Sequence, residues 1–328
     1  FLKKNRNNPF LAYADLLNLK TKTQTLNQNQ KKQILDQFLQ QKSYLLTNKI
    51  YGKVAAHEHY REKSSIENYL AVAGALGIQK TVFLPTGSAP NNQGYEKHQT
   101  ALLKLQKKYP EKIVAFCTID ETDKMAAQKF EECAKKGGKG LKLLGGHPEL
   151  YDEPFNSSNM MQIYEIAKKY KLPVLMHASI INIPGIEEQI REVYSRFPEV
   201  TFIMAHYCSS IMKGANLERC GKLLDDFPNL NTDITMGSGI PGYVKYLQNS
   251  ADYEEIRNFL MKYQDRIMSS ADIILFKNTN MQKIYDRIIC DIQINEQKSF
   301  SCPAYKIVNK TVGLELPKEI LKKLYFEN

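Results

Sequence analysis

No apolar run in this chain approaches the ~18–20 residues that a membrane-crossing helix needs, so the sequence predicts a soluble protein with no membrane partner. The six cysteines (Cys117, Cys133, Cys208, Cys220, Cys290 and Cys302) show no C-x-x-C spacing and no disulfide-scaffold density. Cys117 and Cys208 fall in apolar stretches and read as small buried thiols. A reducing, cytoplasmic setting is therefore expected, although an even number of cysteines leaves pairing open. Arginine is scarce: seven follow residue 60, and none falls at an expected strand end. There is no internal repeat beyond a β/α unit and no extended low-complexity tract. The first residue is Phe1 rather than Met, so removal of something upstream is expected and export stays open.

Lysine, by contrast, is abundant. Forty-five Lys+Arg against 35 Asp+Glu give a formal net charge of +10 over 328 residues. The lysines are scattered along presumed helix faces, which reads as a solvated surface rather than a nucleic-acid footprint. An anionic substrate drawn to a positive mouth is compatible with this charge. An apolar fraction of 43% supports a continuous core, and α/β barrels commonly run to this length as one domain.

Residues 1–50 are rich in Asn, Gln, Lys and Thr, with Ile34, Leu35, Phe38, Leu39 and Leu45 at helical spacing. They read as an amphipathic helical extension that packs on the barrel or on a partner subunit, and a homo-oligomer is compatible with that. From residue 51 to 328 a second unit follows. Apolar runs at 53–59, 80–86, 112–119, 139–144, 173–178, 200–206, 230–236 and 266–271 predict eight strands. Amphipathic runs at 66–76, 100–108, 123–136, 159–171, 187–197, 217–227 and 253–263 fill the gaps, and Pro110, Pro173 and Pro198 mark boundaries. Eight β-then-α units predict an α/β fold of the (β/α)8 TIM-barrel type. Helical patterns at 284–292 and 316–325, flanking a less regular 299–308, predict a C-terminal helical cover.

Five of the six histidines fall where those strands end, and only His98 lies elsewhere. His57 and His59 close strand one, and on a strand positions i and i+2 share a face. Both imidazoles then point inward while Glu58 points to the helical layer. H-x-H alone is a weak signal; its place on strand one of eight strengthens it. His177 ends strand five, His206 ends strand six, and Asp272 ends strand eight. In a parallel barrel these ends converge on one mouth, so imidazoles and a carboxylate gather as ligands suited to Zn²⁺ or a similar first-row metal. A capped helix start at Asp272 is the bland alternative, and Ile273–Phe276 does not read as one. Lys142 lies inside strand four, where an ammonium is costly unless it meets an anion. His147 follows on the next loop, binding substrate or bracing that loop. Asp233 and Thr235 either line the pocket or act as hydrogen-bonded structural groups. Tyr151, Phe155 and Tyr243 are candidate pocket-lining aromatics.

Ala56-His57-Glu58-His59, Gly140-Leu141-Lys142-Leu143, Leu172 to His177, Ile203-Met204-Ala205-His206, Ile267 to Asp272 and the closing Lys323 to Asn328 resemble the amidohydrolase superfamily. The branch they are most similar to is the amidohydrolase-related group that includes aminocarboxymuconate-semialdehyde decarboxylase, over residues 50 to the C-terminus. The resemblance implies one Zn²⁺ held by His57, His59, His177 and Asp272, with Asp272 also activating water. It implies His206 as an acid/base outside the ligand set; Lys142 and His147 are candidate substrate-binding residues from their strand and loop positions alone. Binuclear branches carbamylate a strand-four lysine, so Lys142 leaves a second metal open. Where the family usually has Gly-Ser/Thr before the aspartate, this chain has Ser270-Ala271. Alanine lacks glycine's freedom at positive φ, so a slightly different aim of Asp272 is expected.

Three functions are compatible with this pattern. The first is hydrolysis of a small amide, lactone or ester by a zinc-activated water. The second is non-oxidative, metal-dependent decarboxylation of an unsaturated or aromatic acid, which a mouth arginine would favour. The third is a metal-free or metal-storing scaffold. The scarcity of arginine tilts the expectation toward hydrolysis of a small-molecule substrate, with no nucleic-acid partner.

Overall fold

The computed structural model describes residues 52–88, 92–209 and 216–328. The helical extension expected at residues 1–50 lies outside them. The chain runs β1 (Lys53–Tyr60), α1 (Ile66–Ala75), β2 (Ile78–Pro85), α2 (Tyr95–Lys108), β3 (Ile113–Ala115), β4 (Cys117–Thr118), α3 (Ala126–Lys135), β5 (Leu141–Gly146), α4 (Ser158–Tyr170), β6 (Val174–Ala178) and α5 (Ile186–Arg196). It continues with β7 (Phe202–Met204), α6 (Asn216–Asp226), β8 (Leu230–Asp233), α7 (Ile240–Gln248), α8 (Ser250–Lys262), β9 (Ile267–Met268), β10 (Ile274–Leu275), α9 (Met281–Glu296), β11 (Ser299–Cys302), β12 (Ile307–Val312) and α10 (Lys318–Lys322).

Every expected strand is present and the barrel pairs are parallel, in the orders β10-β1-β2-β3 and β4-β5-β6-β7-β8-β9. This is a TIM barrel whose ladder is not continuously closed. It is interrupted at Phe116, where Phe116 N donates to Phe83 O (3.0 Å) and Cys117 N to Gly140 O (2.7 Å). It is interrupted again in strand eight, whose first half (β9) pairs with β8 and second half (β10) with β1. Asp272 lies in that second gap at φ +48, a left-handed conformation that no ladder accommodates.

Strand alternation separates two cores. In β6, Val174 and Met176 face the helices, while Leu175 joins Leu84, Phe116, Ile203 and Ala205 in a small cluster with Val82, Val114 and Met268 inside the barrel. His177 has the parity of Leu175, and Thr86 that of Val82 and Leu84. Apolar side chains thus plug the barrel from below and polar ones occupy the rim above.

Two expectations need correcting. The stretch 237–252, between the strand expected at 230–236 and the helical run at 253–263, carries no expected element, but Ile240, Val244 and Leu247 recur at helical spacing and bury in α7, with Pro241 in its first turn. The C-terminal cover is not purely helical. Phe300 and Cys302 alternate inward in β11, a turn at Pro303–Tyr305 reverses the chain, and β12 pairs antiparallel with β11.

The cysteines also depart from expectation. Cys117 and Cys208 are not thiols: Cys117 bonds Cys133, Cys208 bonds Cys220, and Cys290 bonds Cys302, at Cα separations of 6.1, 5.5 and 5.6 Å. Each bond joins a helix to a strand segment or the turn after one. Spacings of 12 or 16 residues give no motif, and three-dimensional proximity alone reveals the pairs. Among the described residues, no helix is long and apolar enough to cross a membrane.

Candidate active site

β1 delivers His57 and His59 to the barrel interior with their Nε2 atoms 3.2 Å apart. His57 Nδ1 donates to Asp233 Oδ2 at 2.8 Å, since an ionised carboxylate only accepts. His59 Nδ1 bonds the Thr86 hydroxyl. Burial lowers the His57 pKa to about 4, aided by the nearby Lys142 charge and opposed by Asp233; burial lowers that of His59 as well. Both imidazoles are therefore neutral near pH 7, with their Nε2 lone pairs facing one another.

Asp272 faces the same point. Its Oδ1 lies 3.2 Å from His59 Nε2 and 3.8 Å from His57 Nε2. Burial works against its ionisation, but in acid, where His59 and its neighbouring histidines take up protons, their attraction outweighs it and holds the carboxyl below its usual range. The ligand atoms of His57, His59 and Asp272 all lie within 4.8 Å of one another. Donors bonded at ~2.0–2.1 Å to a tetrahedral ion stand roughly 3.3 Å apart, so the spacing and the neutral, lone-pair-bearing imidazoles fit a divalent cation. The positive φ falls on Asp272 itself, not on Ala271. Gly237 permits this aim, because a Cβ there would lie 2.2 Å from Asp272 Oδ2.

His206 is presented by an unusual backbone. His206, Tyr207, Cys208 and Ser209 have φ of 59, 52, 55 and 53, a run of left-handed residues directly after β7. Each costs about 1–2 kcal/mol in an L-residue, so the surroundings must hold them. β8 supplies much of that hold: His206 N donates to Asp233 Oδ1 (3.1 Å) and Cys208 N to Thr232 Oγ1 (3.1 Å). Tyr207 and Tyr243 share a hydroxyl hydrogen bond (2.8 Å), and Cys208 is tied to Cys220. His206 Nδ1 donates to Thr235 O at 2.7 Å, which leaves Nε2 as the free ring nitrogen.

Asp233 is the residue that sequence reasoning undervalued. It is fully buried and receives His57, the His206 backbone and both the N–H and hydroxyl of Thr235. Burial opposes its ionisation, but His57 and these hydrogen bonds outweigh it and keep the carboxyl well below the usual range. It fixes the His57 tautomer and braces the His206 turn, and its position two residues before Thr235 on strand seven was the available signal.

The remaining predicted residues divide. A cavity of about 380 Å³ opens above the cluster, lined by His147, His177, His206 and Asp272 together with Glu149, Ser179, Asn182, Met236 and Ser238. His177 is half-buried there, its ring stacked on His147 at 4.3 Å and edge-on to His206 at 5.3 Å. It does not join the His57–His59–Asp272 group. Burial and the neighbouring His206 and Lys142 depress its pKa. Lys142 does not line the cavity; it is 1% exposed in the barrel interior, and burial lowers its pKa to about 8 against the pull of Asp233, Asp272 and Glu121. Phe155 and Tyr243 are buried in the outer core and Tyr151 bonds Gln189, so none of the three aromatics lines the cavity. β1 extends to Tyr60, which places Arg61 at a strand end after all, but its guanidinium donates to Gly87 O and covers the Phe276 ring. Among the described residues, no arginine or lysine lines the cavity.

The amidohydrolase family model matches residues 53–272, from the first residue of β1 to Asp272. The chain belongs to the amidohydrolase family. No curated protein matches this amidohydrolase in sequence. Among solved structures, it is similar to a protein of Acinetobacter baumannii named as a probable 2-pyrone-4,6-dicarboxylic acid hydrolase, with 12% identity, a TM-score of 0.58, and coverage of 84% of this chain and 97% of that one. An uncharacterised TIM-barrel protein of Bordetella bronchiseptica gives 14% identity and a TM-score of 0.52 over 80% and 79%. A Staphylococcus aureus protein assigned to the amidohydrolases gives 14% and 0.52 over 84% and 96%. These likenesses carry the fold.

Within the amidohydrolase barrel, Asp233→Asn tests the hold on His57. An amide presents its NH₂ as readily as its oxygen, so the tautomer is no longer fixed, and metal affinity is expected to fall about 10–100-fold. Chelator competition on the folded variant measures it, and an unchanged affinity would remove Asp233 from the account.

Proposed function

We propose that this amidohydrolase is a metal-dependent hydrolase of a small amide, lactone or ester. The observation that carries the reading is the group of His57, His59 and Asp272 ligand atoms, of which Asp272 also lines the cavity. Those three would hold one divalent cation, with zinc the natural choice for imidazole and carboxylate donors. His177, which lines the cavity but lies outside that ligand-atom group, is the proposed fourth ligand. When bound, such a cation lowers the pKa of water and polarises a carbonyl. His206 lines the cavity with Nε2 free, and in this reading it takes the proton from the attacking water and returns it to the leaving group. Ionised Asp272 serves as a second acceptor for that proton. His147 contacts the substrate from the loop after β5, and Lys142 sets the field beneath it.

The absence of a cationic side chain among the described cavity residues favours hydrolysis over decarboxylation, since a substrate carboxylate finds no clamp there. The hydrolase name on the Acinetobacter protein agrees with this choice. Three disulfides weigh toward an oxidising compartment and against the cytoplasm expected from the sequence. The deciding experiment presents metal-loaded protein with a panel of lactones, esters, amides and unsaturated acids. Carboxylate formation without CO₂ supports the hydrolase, and CO₂ release from an acid overturns it in favour of a lyase.

A further inference from the structure

Glu58 stands between the two histidines of β1, so strand alternation turns it away from the cavity and into the layer between barrel and helices. It is fully buried there. The mechanism above does not use it. Its carboxylate is nevertheless engaged on both oxygens: Oε1 accepts from Ser270 Oγ at 2.8 Å and from Ala271 N at 3.0 Å, and Oε2 accepts from Ile273 N at 2.5 Å. All three donors belong to the segment that carries Asp272.

The two backbone donors are the N–H groups on either side of Asp272, and Asp272 is the residue with φ +48. A left-handed residue turns neighbouring N–H groups toward one side, forming a concavity that takes an anion. Here the anion is internal. On the carbonyl side, Arg287 Nη2 from α9 donates to Ala271 O at 3.2 Å and Asp272 O at 3.0 Å. The loop is thus wrapped around one side chain and pinned by another, in a conformation uncommon for a residue other than glycine.

We propose that Glu58 is a positioning residue: by gathering the segment from Ser270 to Ile273 it holds Asp272 in the left-handed conformation that brings its carboxylate to His57 and His59. This rests on the metal reading above. One three-residue unit of β1 then serves the whole centre, its outer members as ligands and its middle member as the brace for the third ligand across the barrel seam. Alanine at position 271 is tolerated because the positive φ lies one residue later, where Glu58 supports it.

The test uses the full chain, Glu58→Gln, and Ser270→Ala, which removes one of the three bonds without touching β1. A glutamine turns an amide NH₂ toward one of the N–H groups and breaks the wrap. Zn²⁺ affinity by chelator competition is expected to weaken about 10–100-fold in Glu58→Gln, the range for groups that orient a ligand, and by less in the same direction in Ser270→Ala. The visible spectrum of the Co²⁺-loaded protein, which reports ligand geometry, should change in Glu58→Gln, whereas a merely structural role would lower the Tm and leave it unmoved. Wild-type affinity and spectrum in both variants overturn the proposal. If Glu58→Gln does not fold, Ser270→Ala decides alone, weakened binding supporting the proposal and wild-type binding overturning it. Unsubstituted protein that takes up no metal removes the proposal together with the metal reading, and that failure is recognisable because it appears without any substitution.

Discussion

His206→Asn is expected to lower kcat by about 10²–10⁴-fold on any substrate the wild type turns over, the range for loss of a positioned acid/base, while bound metal stays at the wild-type level. The separation follows from the ring's two contacts. Nδ1 is spent on Thr235 O, and the ring lines the cavity without belonging to the His57–His59–Asp272 group. Asparagine can keep the bond to Thr235 and so preserve the turn, but it offers no group that exchanges a proton near neutral pH. Loss of metal together with activity would make His206 a ligand and move the acid/base role elsewhere. Steady-state kinetics and metal analysis on the same preparation distinguish the two.

Cys208→Ser with Cys220→Ser is expected to cost stability and turnover in different proportions. The bond spans 12 residues of sequence, and closing a loop of that size contributes about 3 kcal/mol by the chain-entropy model. At about 2–4 °C per kcal/mol for a domain slightly smaller than this one, Tm should fall by roughly 6–12 °C. Cys208 also lies two residues after His206 in the left-handed run, so its release lets the backbone relax and shifts the imidazole. A displacement near 1 Å is enough to reduce turnover about 10²-fold, with metal content unchanged. The matching change at Cys290 and Cys302, between α9 and β11, should lower Tm without that loss of turnover. Equal effects of the two pairs on kcat would show that the turn does not depend on its disulfide.

The histidine and aspartate positions were legible because a parallel barrel turns strand order into convergence: the His57/His59 pair on the first strand meets Asp272 on the last. Parity within β1 also correctly sent Glu58 outward. What stayed hidden depends on backbone conformation or on contacts between elements. Nothing in Ala205-His206-Tyr207 announces a left-handed turn, since none of those residues favours positive φ and the hold comes from Thr232 and Asp233 on the next strand. The α7 helix was masked by Gly237 and Gly239, which read as loop although the apolar spacing after them is helical. Asp233 was ambiguous because a buried, hydrogen-bonded carboxylate and a pocket-lining one look alike in a strand sequence. The cysteine pairs had no local signal at all.

The central claim is that His57, His59 and Asp272 share one divalent cation. Metal analysis of protein purified without chelator, beside His57→Ala/His59→Ala, addresses it most directly. The account predicts about one equivalent of metal per chain in the wild type and none retained in the double variant. Folded wild-type protein that neither contains metal nor takes up Zn²⁺ on titration would contradict it.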